Sequence, residues 1–242
     1  MKHSIYRFLT AAVVILALGL AGCSEEDSPT SSTPKKPTVP QASFSGPNTT
    51  SNNEFVQQAK FSSSFFNVYG EMFKSFATLP GTQNGNVWTY SETSNGLTVT
   101  VTTTLLSDGS YTWSIVMNGQ YVDDDTTVTV NNWKAFEGTS SADGKTGTWR
   151  MHDYNSSTPI LDMNWATNAA GVESGSMSFY EKGTIISQVD IVNNPNGSGS
   201  LTTFEKGTTA LYKRMELLWN PDGTGSYKIY NEAGVVTEQG TF

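Results

Sequence analysis

Gly175-Ser-Met-Ser-Phe-Tyr-Glu-Lys-Gly183 and Gly199-Ser-Leu-Thr-Thr-Phe-Glu-Lys-Gly207 are two copies of one pattern, and their reading decides the fold. Gly147-Thr-Trp-Arg-Met-His-Asp-Tyr154 comes before them and Gly225-Ser-Tyr-Lys-Ile-Tyr-Asn-Glu-Ala-Gly234 after, with starts 28, 24 and 26 residues apart. Asn194-Pro-Asn-Gly-Ser-Gly199 and Asn220-Pro-Asp-Gly-Thr-Gly225 are near copies that separate successive units. Each unit has room for two short strands, which must lay an apolar face against neighbouring units to be stable. One parity is apolar: Trp149 and Met151, then Leu161, Met163 and Trp165, then Met177 and Phe179, then Met215, Leu217 and Trp219, then Tyr227 and Ile229. The other parity is mixed, so one sheet face is expected in the core and the other toward water.

Outward from the repeats, the same period of two runs from Val87 to Phe242, with Gly109-Ser-Tyr-Thr-Trp113 as a diverged unit. Asn95-Gly96, Asp108-Gly109, Asn118-Gly119, Asp143-Gly144, Asn196-Gly197 and Asp222-Gly223 supply residues that accept the positive φ of tight hairpins. The expectation is a mainly β chain: an antiparallel up-and-down meander of about twelve strands, curled into a curved sheet or a barrel. In outline this is similar to lipocalin-like and lipoprotein-carrier folds, in which a curved sheet encloses a cavity beside a helix.

Upstream, residues 54–79 hold no proline and one glycine, and they read as a single N-terminal amphipathic helix ended by Pro80-Gly81. Phe61, Phe65, Val68, Met72, Phe76 and Leu79 form one apolar stripe; Phe55, Ala59, Phe66, Tyr69 and Phe73 form a second. From Ser28 to about Asn53 the chain is mostly Ser, Thr, Pro, Asn and Lys, with too little apolar surface to offset the entropy of folding. Residues 23–53 are therefore expected to be a disordered tether, and 54–242 a single domain with its hairpin repeats at 147–242.

Lys2 and Arg7 precede an uncharged stretch from Phe8 to Gly22, shorter than the ~20 residues that span a bilayer as a helix. This is the pattern of a secretory signal. Leu20-Ala21-Gly22-Cys23 resembles the lipobox of bacterial lipoproteins. That resemblance implies cleavage after residue 22, a diacylglyceryl group on the Cys23 thiol and an acyl chain such as palmitate on the new amino group. Membrane lipid is then the first partner, and the protein is anchored to the envelope rather than spanning it. By resemblance to lipoproteins of enteric bacteria, Ser24 in place of an Asp argues against inner-membrane retention and implies the outer membrane, on its periplasmic face or at the cell surface. Glu25-Glu26-Asp27 resembles the acidic tract that sends some bacterial lipoproteins to the surface; it is equally a solvated charge run.

Composition narrows the function classes. With 14 basic and 22 acidic residues the net charge is −8 and the pI about 4.7, a surface that repels a phosphate backbone and excludes nucleic acid as a partner. Cys23 is the only cysteine, so no intramolecular disulfide forms. Without the signal, His152 is the one histidine; no metal site of several His or Cys, no Cys/His nucleophile pair and no Gly-x-Ser-x-Gly elbow is present. His152 reads as a surface or groove residue. Glu137, Asp153, Asp162, Glu173, Glu181, Glu205 and Glu216 are scattered, with nothing in the spacing to pair two of them for glycoside hydrolysis. Asp123-Asp124-Asp125 lacks the spacing of a calcium loop and reads as a solvated turn.

The chain is accordingly expected to be a non-enzyme without cofactor or metal. Its candidate binding residues are those of the mixed parity: Arg150, Tyr154, Tyr180, Phe204, Tyr212, Arg214 and Tyr230. Aromatic rings interleaved with cations suit either an apolar or amphipathic ligand or a glycan, while cross-strand aromatic pairing alone accounts for them without any ligand. The leading expectation is a lipid-anchored envelope protein whose β domain binds an apolar or amphipathic molecule; a surface glycan-binding or adhesion module and a purely structural envelope protein are the alternatives.

Overall fold

A computed structural model describes Pro37 and residues 43–78, 81–123 and 126–242. The signal, Cys23 and most of the tether lie outside the described residues, as do Asp124, Asp125, Leu79 and the side chains of Tyr69, Met72, Phe73 and Phe76.

Helix α1 (Glu54–Thr78) is followed by thirteen strands: β1 (Thr82–Asn84), β2 (Val87–Ser94), β3 (Leu97–Leu105), β4 (Tyr111–Asp123), β5 (Thr126–Ser140), β6 (Thr146–His152), β7 (Pro159–Thr167), β8 (Glu173–Glu181), β9 (Thr184–Asn193), β10 (Gly199–Lys206), β11 (Leu211–Trp219), β12 (Gly225–Tyr230) and β13 (Val236–Thr241). Every strand pairs antiparallel with the next, and the order runs unbroken from β1 to β13. β1 and β13 do not meet, so the sheet is curved but unclosed, and the barrel alternative is corrected to an open sheet. Curvature is evident at β10: Cα atoms of its two neighbours, β9 and β11, approach within 8 Å, closer than the roughly 9.6 Å of two flat strand spacings.

Five of the six Gly-bearing turns close hairpins as expected. Asn95 and Gly96 both adopt positive φ (51° and 84°), which gives the two-residue turn the twist its strands need. Asn118-Gly119 is the exception, since it lies inside β4 at a bulge, where Cβ on Gly119 would strike the carbonyl oxygen of Gly96. An Asn-Gly pair in a strand thus serves close backbone approach, not reversal.

The apolar parity is buried from β3 to β12 and forms one core. Its recurring device is a glycine covered by an aromatic ring of its register partner: Gly147 by Trp165, Gly199 by Trp219, Gly225 by Phe242. This explains the glycine that opens each repeat, because any Cβ there would occupy the ring's space. Trp113, Trp149 and Trp165 line up with ring centroids 6.0 and 6.1 Å apart, and two of their indole N–H groups donate to Ser140 Oγ and the Gly144 carbonyl.

Gly175 departs from the pattern, because its partner on the following strand is Ile191. Phe44 and Phe66 fill the gap, 2.7 and 2.8 Å from the place a Cβ would take, and pack on each other at 4.8 Å. Phe44 is only 2% exposed, so the tether ends earlier than its composition suggests. Residues 43–53 are packed against the domain. Asn67 clamps Phe44 through both backbone groups, accepting from its N–H at 2.8 Å and donating to its carbonyl at 2.7 Å. Lys60 donates to the Thr49 carbonyl, and Asn53 caps α1 by accepting from the Phe55 and Val56 amides.

The helix also turns an unexpected side to the sheet. Val56, Ala59, Ser63 and Phe66 face inward, while Phe61 and Val68, both of the first apolar stripe, are 69% and 50% exposed. Small residues at 59, 62 and 63 let the helix backbone approach the sheet, with the Ser63 hydroxyl satisfied by the Ala59 carbonyl. Phe55 packs on Tyr227 of β12 and Phe65 on Phe179 of β8, so α1 crosses the strands between them.

Candidate functional site

The outer face of the sheet carries the polar chemistry, and its order follows from register. Glu137, Arg150, Asp162, Ser178, Gln188, Phe204 and Lys213 lie on one line across β5 to β11. Beside it runs a line of Thr139, Thr148, Asn164, Ser176, Asp190 and Thr202.

At the centre of the first line, Arg150 grips Asp162 with two bonds, Nε to Oδ1 at 2.7 Å and Nη2 to Oδ2 at 2.8 Å. The Tyr180 hydroxyl donates to the same Oδ2 at 2.9 Å. Burial works to raise the Asp162 pKa, but the hydrogen bonds from Arg150 and Tyr180 and the Arg150 charge outweigh it and hold the carboxyl below its ordinary range. Tyr180 is pushed up, by burial first and then by its bond to Asp162. A planar guanidinium, a carboxylate and a phenol are thereby fixed together on a half-exposed surface.

His152 differs from its expected place: it is 4% exposed, with Nδ1 2.9 Å from the Lys134 carbonyl and Nε2 3.3 Å from Glu137 Oε1. A bulge after Met151 ends the alternation and turns it in. Glu137 also pairs with Lys134 at 3.1 Å; burial opposes this, yet the Lys134 bond and the surrounding cations leave its carboxyl lowered.

The seven sequence candidates separate into three groups. Arg150 and Tyr180 share Asp162, and Phe204 is on the same line. Tyr230 is beside them on β12, its hydroxyl donating to Glu216 at 3.1 Å under the Lys213 ammonium, 4.6 Å from the ring centroid. Tyr212 and Arg214 leave this face: a bulge opposite Thr203 and Phe204 makes Arg214 the extra residue and returns Tyr212 to the inner parity. There Tyr212 donates to Glu205 at 3.2 Å, while Arg214 donates to the Tyr230 carbonyl at 2.9 Å. Tyr154 lies apart on the β6–β7 loop, its ring edge against Trp133 at 5.8 Å and its hydroxyl on the Thr129 carbonyl. Sequence reasoning singled out neither Asp162 nor Lys213 as a partner of these rings, because only register joins them.

Among the described residues, no group of three His, Cys, Asp or Glu is placed to hold a metal, and no helix is long and apolar enough to cross a membrane. The chain matches no protein-family model and no curated protein.

Proposed function

We propose that this chain is a lipid-anchored protein of a bacterial cell envelope whose β domain acts without catalysis, as a carbohydrate-binding module on the outer face of its sheet. The Arg150–Asp162–Tyr180 constellation carries the reading. Sugars are held by planar, oriented donors and acceptors together with an aromatic surface, and these three side chains supply both among small hydroxyl and amide neighbours: Thr148, Asn164, Ser176 and Ser178. The anchor rests on Leu20-Ala21-Gly22-Cys23. An apolar-ligand carrier needs an enclosed apolar volume beside the helix. The rings over Gly147, Gly175, Gly199 and Gly225 occupy that layer, so packing favours the outer face.

Glycan-array screening of the wild-type domain, followed by titration of the best ligand, tests the reading. Tyr180→Ala and Arg150→Ala are each expected to weaken binding by about tenfold or more, the equivalent of roughly 1.4 kcal/mol. Unchanged affinity in both would overturn it, and a stoichiometric extractable lipid would restore the carrier alternative. Cys23→Ser is expected to leave an uncleaved, unlipidated precursor.

A further inference from the structure

Arg150 meets Asp162 side-on, through Nε and one proton of Nη2, and this grip leaves the far end of the guanidinium unused. Its remaining N–H groups, on Nη1 and Nη2, have no partner among the described residues, and one from each nitrogen forms a second parallel fork. The Arg150 side chain is 47% exposed and that of Asp162 27%, so the cation reaches further into water than the carboxylate. Tyr180 has given its only hydroxyl proton to Asp162 Oδ2, and its oxygen can now only accept. Asp162 Oδ1 carries a single bond and keeps one acceptor position.

The charges here are already answered. Asp162 neutralises Arg150, Glu137 pairs with Lys134 at 3.1 Å and Glu216 with Lys213 at 3.3 Å, so these pairs add no net positive charge to the line. The chain as a whole, at −8, repels anions.

We propose that the ligand of this site is a neutral sugar held through two adjacent hydroxyls, and that Asp162 sets this choice by keeping Arg150 from acting as a free cation. The inference rests on the carbohydrate reading and names its substrate class. Two neighbouring hydroxyl oxygens accept from the open fork of Arg150. The hydroxyl nearer Nη2 passes its own proton to the Tyr180 oxygen, which shares Oδ2 with Nη2. Asp162 Oδ1 has room for one hydroxyl more. The carboxylate of an acidic sugar matches the same fork in shape, but it would set its charge beside that of Asp162.

Calorimetric titration of the full chain with neutral oligosaccharides of glucose, mannose, galactose and N-acetylglucosamine, against those of galacturonic and glucuronic acid, tests this. The best neutral ligand is expected to bind about tenfold or more tighter than any acidic one, with an affinity unchanged by salt. Periodate, which cleaves adjacent diols, should abolish its binding. Asp162→Asn is expected to weaken the neutral ligand roughly tenfold and to strengthen the acidic ones by a similar factor, now with strong salt dependence. Preference of the wild type for an acidic oligosaccharide would overturn the inference and leave the carbohydrate reading standing. So would a selectivity in Asp162→Asn equal to that of the wild type. Absence of binding to every oligosaccharide would overturn both.

Discussion

The ring of Phe66 stands over Gly175, its Cε1 2.8 Å from where a Cβ would be, in the place that Trp165 holds over Gly147 and Trp219 over Gly199. Helix and sheet are therefore joined by the same glycine-and-ring device that joins strand to strand. Gly175→Ala is expected to destabilise the domain by about 1–3 kcal/mol, since both clashing rings are held in a close-packed core. Adding Phe44→Ala should recover part of the loss, and a strictly additive double mutant in denaturant unfolding would refute the shared space.

The Asn67 amide is the second hold on the N-terminal segment, bonded to both backbone groups of Phe44. Asn67→Ala leaves those groups without their partner and should cost about 1–3 kcal/mol. Limited proteolysis should then cut first within residues 43–50. A cleavage pattern identical to that of the wild type would show that the clamp contributes little.

Glu173 faces Asn193 across β8 and β9, and the buried Asn193 Oδ1 accepts no hydrogen bond. Burial raises the Glu173 pKa, partly offset by the bond it accepts from the Ser43 amide. A raised folded pKa means the stability linked to the proton is present at acid pH and lost as pH rises through that value. Glu173→Gln keeps an acceptor for Ser43 and brings a donor toward Asn193. A gain of about 1 kcal/mol is expected at neutral pH, shrinking toward acid pH where the wild-type carboxyl already carries a proton. Equal gains at both ends of the range would sink the explanation.

Asp162 has the opposite sign. Its folded pKa is depressed, so the contribution of the Arg150 pair is present above the ordinary carboxylate pKa and lost as pH falls through the lowered one. Unfolding free energy measured from neutral to acid pH should fall less steeply in Asp162→Asn than in the wild type. Arg150 is half exposed, so the difference is expected to be small and to shrink further in high salt.

Much of this molecule was legible without coordinates, for local reasons. Alternation within each run between Trp149 and Ile229 can bury one face only as strands, and an Asn-Gly or Asp-Gly pair between two such runs leaves few ways to connect them. Consecutive pairing, the extent of α1 and the apolar face all follow from that chain-local chemistry. Tertiary structure decided whatever depends on two distant segments meeting. Whether the sheet closes depends on summed twist and curvature. Which stripe of α1 is buried depends on the closeness that Ala59 and Ser63 permit, and apolar residues on both sides of a helix do not choose by themselves. The faces of Tyr212, Arg214 and His152 were set by bulges, each inserting one residue and inverting a parity that sequence alternation assumes constant. Phe44, a lone ring in a polar stretch, became an anchor because Ile191 left space above Gly175, a vacancy visible only when β8, β9 and the helix are assembled.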